Sequence, residues 1–493
     1  MFLCLRKTGA NASLRRAEQA DGGRAGACGW SALGGRCGAV GAGTGCDRLK
    51  APLRPTRPFR DRRCMRRGRA ENDAVLCFSL AAGSAYGRAN FQTWIRHESG
   101  TNMSDIVILD GARTAIGTFG GALAGVTPAE LGATVTRAAL ERSGVDGGQI
   151  GHAVYGHVIN TEPRDMYVSR IAAMDAGIPD STPAMNVNRL CGSGAQAIVS
   201  AVQALMLEDA AFAVAGGVEC MSRSPYIVPA QRWGQKMGDI KTLDMMLGAL
   251  SCPFGTGHMG VTAENVAAEH GITREAQDGF ALESQTRAAK AIAAGYFASQ
   301  IVPVEVRVKR DMVAFEVDEH PKATSLEALS GLRTVFQKDG TVTAGNASGI
   351  NDGAAALVLA RADAAAKAGL KPRARVLGYA HAGVRPEVMG IGPVPAVQNL
   401  LARTGLSIAD FDIIESNEAF AAQALAVNKE LGLDAAKVNP NGGAIALGHP
   451  VGATGAIITL KALYELERTG AKRALVTMCI GGGQGIALAI EAL

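Results

Sequence analysis

Several ingredients are scarce in this sequence, and each shortage removes a class of protein. No apolar run approaches the roughly 18 to 20 residues that a membrane-spanning helix needs, and the run at 74–82 is far too short, so a helical membrane protein is excluded. There is no C-x-x-C pair. The histidine nearest to the six N-terminal cysteines (Cys4, Cys28, Cys37, Cys46, Cys64 and Cys77) is His97, which leaves no zinc-binding spacing. No secretory signal is recognisable, so the expectation is a reducing, cytoplasmic setting with free thiols. Aromatic residues are 5% of the chain and charged residues 19%, against 47% hydrophobic and 62 glycines, a composition that can bury a large core.

Excess positive charge is also missing from most of the chain. The formal net charge of +5 hides a break: residues 1–102 hold 18 Lys and Arg against 7 Asp and Glu, whereas the remainder holds 32 against 38. A mildly acidic body argues against a nucleic-acid or membrane-surface partner. The basic, Gly-, Arg- and Cys-rich segment 1–102 is read as a disordered extension or a mis-called start upstream of Met103. A mitochondrial presequence is the alternative, although no amphipathic period is sustained there.

What is present centres on 185–196, M-N-V-N-R-L-C-G-S-G-A-Q. A short extended run ends in Asn186 and Asn188, Cys191 follows, and Gly192 and Gly194 turn the chain into a helix with Ile198, Val202 and Leu205 on one face. Cys191 therefore stands at a helix N-terminus, where free N–H groups and the positive dipole end favour a thiolate. The layout recurs. Residues 437–441 read as a second short strand, followed by a turn with Gly442, Gly443, Gly448 and His449 and a helix carrying Ile457, Leu460 and Tyr464. Apolar strands at 211–217 and 474–483 close the two copies, and the second carries Cys479. An internal repeat of this kind would bring Cys191, His449 and Cys479 to one centre.

The stretches N-R-L-C-G-S-G-A-Q-A at 188–197, E-S-N-E-A-F at 415–420, N-G-G-A-I-A-L-G-H-P at 441–450 and M-C-I-G-G-G-Q-G at 478–485 together resemble the thiolases, the acyl-CoA C-acyltransferases. The resemblance covers 103–493. V-I-N-T-E-P-R-D-M-Y at 158–167 and H-M-G-V-T-A-E-N-V-A at 258–267 look most like bacterial acetyl-CoA acetyltransferases and the broad-range β-ketothiolases that feed polyhydroxyalkanoate synthesis.

The resemblance implies an α/β fold of duplicated halves in five αβαβα layers, with an N-terminal half at 103–363 and a C-terminal half at 370–493. An inserted loop domain at about 222–349 would lie over coenzyme A. It implies an acyl group carried on Cys191, Cys479 as the acid/base, and His449 and Asn417 serving the enolate. Backbone N–H groups of Cys191 and Gly481 would hold the oxyanion, and His258, Met259, Ser348 and Phe420 would line the coenzyme A site. Acetyl-CoA, acyl-CoA and 3-ketoacyl-CoA are the implied substrates, with no separate cofactor and no metal, in a homodimer or homotetramer. Two departures stand out: Lys322 where relatives often have Arg, which loses the planar fork for phosphate, and Ser416 where Ala is common.

Taken in order from 105, the pattern is strands at 106–109 and 153–155, helices at 128–143 and 167–176, then the Cys191 unit. Residues 413–414 and 419–431 read as a strand and a helix. Alternating strands and helices predict a parallel sheet covered on both faces. His152, His270 and His381 have no motif around them and read as structural or surface residues, and Glu418 as a group that orients the site. Two other classes compete with the thiolase reading. A ketoacyl synthase would share the cysteine but not Cys479. A non-catalytic acyl-CoA-binding protein would need none of Cys191, Asn417, His449 and Cys479. A dinucleotide reading of 479–485 fails because no βαβ unit follows it.

Overall fold

A computed structural model describes residues 105–493. The reading of 1–102 lies outside the described residues. The first half runs β1 (Ile106–Arg113), α1 (Pro128–Ser143), β2 (Ile150–Gly156), α2 (Val168–Asp175), β3 (Ala184–Val187), α3 (Ser193–Met206) and β4 (Phe212–Cys220). After an inserted segment that includes α4 (Met259–His270) and α5 (Arg274–Ala293) come β5 (Asn351–Arg361), β6 (Ala374–Gly383), α6 (Pro393–Thr404), β7 (Ile413–Ser416) and α7 (Ala421–Leu431). The chain closes with α8 (Thr454–Thr469), β8 (Arg473–Ile480) and β9 (Gln484–Ala492).

The strands join in the order β7-β8-β9-β6-β1-β5-β4-β2-β3, with Gly117–Thr118 paired to β5 as a tenth member. The expected parallel sheet is corrected to a mixed one: β2 runs parallel to β3 and β4, and β7 to β8, but β1, β5, β6 and β9 meet their neighbours antiparallel. The physical reason is that several connections are not helical crossovers. β8 returns as β9 through the three-glycine turn Gly481 to Gly483, a reversal only an antiparallel pair permits. The seam between the half-sheets is narrow, Val107 against Arg375 and Ile108 against Ala374.

Side-chain alternation shows how the layers stack. On β1, Ile106 and Ile108 enter one core while Val107 and Leu109 enter another; on β5, Leu357 and Leu359 face opposite to Ala356 and Val358. The central core is filled by α3 and α8, with Ile198, Val202, Leu205, Ile457 and Leu460 from the helices and Ile486, Leu488 and Ile490 from β9. Outside it, α1 and α2 cover the first half-sheet through Leu131, Val135 and Ala172, and α6 covers the second through Val397 and Leu400. The result is helix, sheet, helix, sheet, helix. Helix α1 starts where the sequence requires: Thr127 and Glu130 form a reciprocal capping box on either side of Pro128, and Gly144 at φ 68° ends it.

At the centre α3 and α8 touch at glycines. A Cβ on Gly194 would lie 2.6 Å from the Ala456 nitrogen, and one on Gly455 would overlap Ala195. Only a bare backbone permits this approach. It draws the starts of the two helices together.

The inserted segment is fastened to the end of β1 by a buried ion pair. Arg113 grips Asp318 with two bonds of 2.7 and 2.9 Å, and Asp318 also accepts the Ile116 N–H at 2.8 Å.

Candidate active site

The turn before α3 is held by its own polar groups. Leu190 sits in the left-handed region at φ 44°; its N–H donates to Asn188 Oδ1 at 3.0 Å, and its carbonyl accepts from Ser193 Oγ at 2.6 Å. The Asn188 amide ties this turn to Val158 at 3.3 Å. Cys191, half-buried, follows in the chain and lies on the wall of a cleft of about 490 Å³, a size suited to a small-molecule site. Gly481, placed by the β8–β9 turn, and His449 line the same cleft.

His449 is fixed from both sides. Its N–H donates to Asn351 Oδ1 at 2.9 Å, and Asn351 is itself tied to the Gly117 carbonyl at 3.0 Å. Gly448, at φ 102°, leaves no room for a side chain against Asn351. Thr454 Oγ1 gives its one hydrogen to the Pro450 carbonyl at 2.9 Å and so accepts from His449 Nδ1 at 2.6 Å. This network assigns the proton to Nδ1 and leaves Nε2, buried and without a partner among the described residues, as an acceptor. Burial lowers the imidazole pKa to about 4. A neutral imidazole with a free lone pair is a base.

The expectation that the helix terminus would make Cys191 a thiolate is corrected. Burial raises the thiol to about 11; the N–H groups of Gly481 and of Cys191 itself pull it down, and Glu219 pushes it up. Desolvation outweighs the helix end, so Cys191 rests as a thiol and must be activated by a base. The two N–H groups converging on its sulfur are also the donors that a negative oxygen would need there.

Cys479 is fully buried at the end of β8 and does not line the cleft; its thiol is pushed up by burial and by Cys191 beside it. Asn417 is likewise buried, its amide nitrogen and oxygen without partners among the described residues. It faces a small cavity shared with Gly448 and Thr454. Next to it Glu418 accepts from Ser284 at 2.7 Å, Asn439 at 2.8 Å and the Ile445 N–H at 3.2 Å, tying the insertion to the His449 loop. The short strand expected at 437–441 reduces to one bridge, Val438 to Ile414, because Asn439 adopts φ 45° and turns its side chain back onto Ser416.

His258, Met259, Ser348, Phe420 and Lys322 all line the main cleft. His258 accepts the Gly260 N–H at 3.0 Å and stacks on Phe336, with centroids 4.7 Å apart, and Phe336 meets Phe420 edge-on. His270 pairs with Glu430, and His381 with Gln196, away from this cleft. Phe336, His320, Asn351, Thr454 and Glu219 escaped the sequence reading. For Asn351 a signal existed, since N-D opens the otherwise apolar run of β5; the others carry none. Among the described residues no group of three or more side chains could hold a metal ion, and no helix is long and apolar enough to cross a membrane.

Comparison with known proteins gives a consistent picture. Residues 106–363 match the thiolase N-terminal domain and 370–492 the thiolase C-terminal domain. The chain is 59% identical over 389 residues to a beta-ketothiolase, BktB, of Cupriavidus necator, covering 78% of this chain and 99% of that protein. It is 50% identical to an acetyl-CoA acetyltransferase of the same bacterium, covering 79% and 100%. Among solved structures, the Bacillus anthracis acetyl-CoA acetyltransferase superposes with a TM-score of 0.77 at 48% identity, covering 79% and 98%. Human mitochondrial 3-ketoacyl-CoA thiolase in complex with CoA gives 0.77 at 44% identity, with the same coverage.

Proposed function

The chain belongs to the thiolase family, and we propose that its cleft joins acetyl-CoA to an acyl group carried on Cys191 and runs the reverse thiolysis. It is an acyltransferase. The observation that carries the reading is the shared cleft wall: the Cys191 thiol, the Gly481 N–H directed at its sulfur and the free Nε2 of His449.

In this reading His449 takes the Cys191 proton as sulfur attacks the thioester carbonyl, and the N–H groups of Cys191 and Gly481 hold the oxyanion. Cys479, kept as a thiol by burial, gives its proton to the departing coenzyme A thiolate. The resulting Cys479 thiolate then removes a proton from the α-carbon of the second acetyl-CoA. Protonated His449, with Asn417 acting through a water, stabilises the enolate, which attacks the acyl carbon. Cys191 leaves as a thiolate and recovers its proton from His449. Coenzyme A is a substrate throughout and no other cofactor is called for. His258, Met259, Ser348 and Phe420 would bracket its pantetheine arm, and Lys322 would meet a phosphate as a point charge.

The division into halves at 103–363 and 370–493, with the loop domain at about 222–349, belongs to the same reading, as do a cytoplasmic site and a role in fatty acid metabolism or polyhydroxyalkanoate synthesis. Assembly into a homodimer or homotetramer is supported by the unpaired outer edge of β3 and by the exposed Tyr226, Trp233, Met237 and Ile240 of the insertion. Light scattering should return a dimer or tetramer, and a stable monomer at micromolar concentration would contradict it.

The decisive experiment is incubation with acetyl-CoA followed by peptide mapping. Acetyl should appear on Cys191 and vanish in Cys191→Ala. Label that persists there at normal stoichiometry refutes the assignment.

A further inference from the structure

Glu219, one residue from the end of β4, is fully buried among donors contributed by two other segments. Its Oε2 accepts the Gly452 N–H at 2.9 Å and the Val158 N–H at 3.1 Å, and its Oε1 accepts the Ile159 N–H at 3.1 Å. His157 Nδ1 lies 3.5 Å from Oε1 while bonding the Val218 carbonyl at 3.0 Å. Three backbone N–H groups donate to the carboxyl and His157 lies beside it; burial pushes its pKa up, and these partners pull the other way, towards the ionised form.

Each segment it holds leads to the site. Gly452 lies three residues after His449 and two before Thr454, the hydroxyl that fixes the imidazole. Val158 receives the Asn188 amide that braces the Cys191 turn. The backbones are pressed together around this point: a Cβ on Gly156 would lie 2.5 Å from the Ser193 carbonyl carbon and 2.7 Å from the Gly452 oxygen. Glu219 thus bonds the His449 loop directly and the Cys191 turn through Val158, and belongs to neither.

We propose that Glu219 is a positioning residue, a carboxylate that registers the Cys191 turn of the first half against the His449 loop of the second. This rests on the reading of Cys191 and His449 as nucleophile and base. The groups facing the carboxylate are His157 from the end of β2, with Asp165 4.0 Å beyond it, Cys191 from the turn before α3, and Cys220 on its own strand, which in turn feels Asp352 and Arg223. A negative charge on Glu219 also opposes ionisation of the Cys191 thiol, a smaller influence than the burial that raises it.

Two variants separate the tether from the charge. Glu219→Ala removes both, and misplacing paired groups by about 1 Å costs on the order of 10²-fold, so kcat for thiolysis of acetoacetyl-CoA should fall by roughly that factor with KM little changed. In Glu219→Gln the remaining oxygen can keep the Gly452 and Val158 bonds, so most of kcat should survive. The pH profile of Cys191 alkylation by iodoacetamide, followed by peptide mapping, should move to lower pH once the neighbouring negative charge is gone. Alkylation reads the thiol without the family reaction, so failure of the Cys191 assignment would show separately in acetyl labelling. The proposal is overturned if Glu219→Ala keeps wild-type kcat, or if the Glu219→Gln alkylation profile coincides with wild type.

Discussion

The turn that carries Cys191 and the turn that carries His449 lead into helices whose first residues correspond, Ser193-Gly194 and Thr454-Gly455, yet they are supported differently. In the first, Asn186 pins the start of α2 through the Ser169 N–H at 2.9 Å, Leu190 takes the left-handed conformation at φ 44°, and Ser193 Oγ closes onto the Leu190 carbonyl. In the second, Asn439 pins its own neighbour through the Ser416 N–H at 2.9 Å and takes the left-handed conformation itself, at φ 45°. An extra helical turn, Ala444–Leu447, then lengthens the loop before His449. The hydroxyl that in one half locks backbone to backbone reaches, in the other, a side chain: Thr454 holds the imidazole. A duplicated scaffold has kept one geometry and assigned it two tasks, presenting a half-buried sulfur and orienting a buried base.

The sharpest way to break this comparison is at Cys479, which serves neither turn but the proton between them. Cys479→Ser replaces a thiol by a far weaker acid, and condensation and thiolysis should fall by roughly 10² to 10⁴, while acetyl-CoA still labels Cys191, more slowly, because a thiolate can leave and take its proton from water. Deuterium exchange into the methyl group of acetyl-CoA should stop with them. Exchange at the wild-type rate would remove Cys479 as the base.

A smaller effect separates the two hydroxyls. Thr454→Val keeps the shape but frees the imidazole to choose its tautomer, and outer partners of a working histidine are worth about 10- to 100-fold, so kcat should drop within that range, alongside a stability loss of about 1–3 kcal/mol from the orphaned His449 Nδ1–H and the lost bond to the Pro450 carbonyl. Ser193→Ala strips the Leu190 carbonyl and the Arg189 N–H of a shared partner and should cost a similar amount of stability, about 1–3 kcal/mol by denaturant titration, without the loss of a base's orientation and so with a smaller drop in kcat. If both variants lower kcat alike, the division of labour between the turns is wrong.

At the helix crossing the predicted change is in stability alone. Gly455→Ala forces a methyl against Ala195 where there is no space, at a cost of about 1–3 kcal/mol, and the same holds for Gly194→Ala against Ala456. Chemical denaturation measures both. A wild-type midpoint in either would mean the helices stand further apart than described.

Much of this was readable beforehand because it depends on neighbours in sequence. The helix expected at 128–143, with Leu131, Val135 and Leu140 near one face, is found at those residues. His449, Gly481, His258, Met259, Ser348 and Phe420, expected from the motifs around them, meet Cys191 on one cleft. What escaped depends on distant parts of the chain. The direction of β1 and β5 cannot be read from apolar runs that look alike either way up. The ionisation of Cys191 is decided by how deeply other segments bury it, against which a helix end is a minor influence. Glu219 sits in G-G-V-E-C without a motif of its own; its donors lie some 60 and 233 residues away.

The shared central core has a consequence for how the chain is made. Ile198, Val202 and Leu205 of α3 are covered by α8 and by β8 and β9, so the apolar face made with the first half stays open until the end of the second half has been synthesised. With contacts this long-range, loop closure must precede the reward of burial. The two halves resemble each other, but neither is a finished object until the other exists.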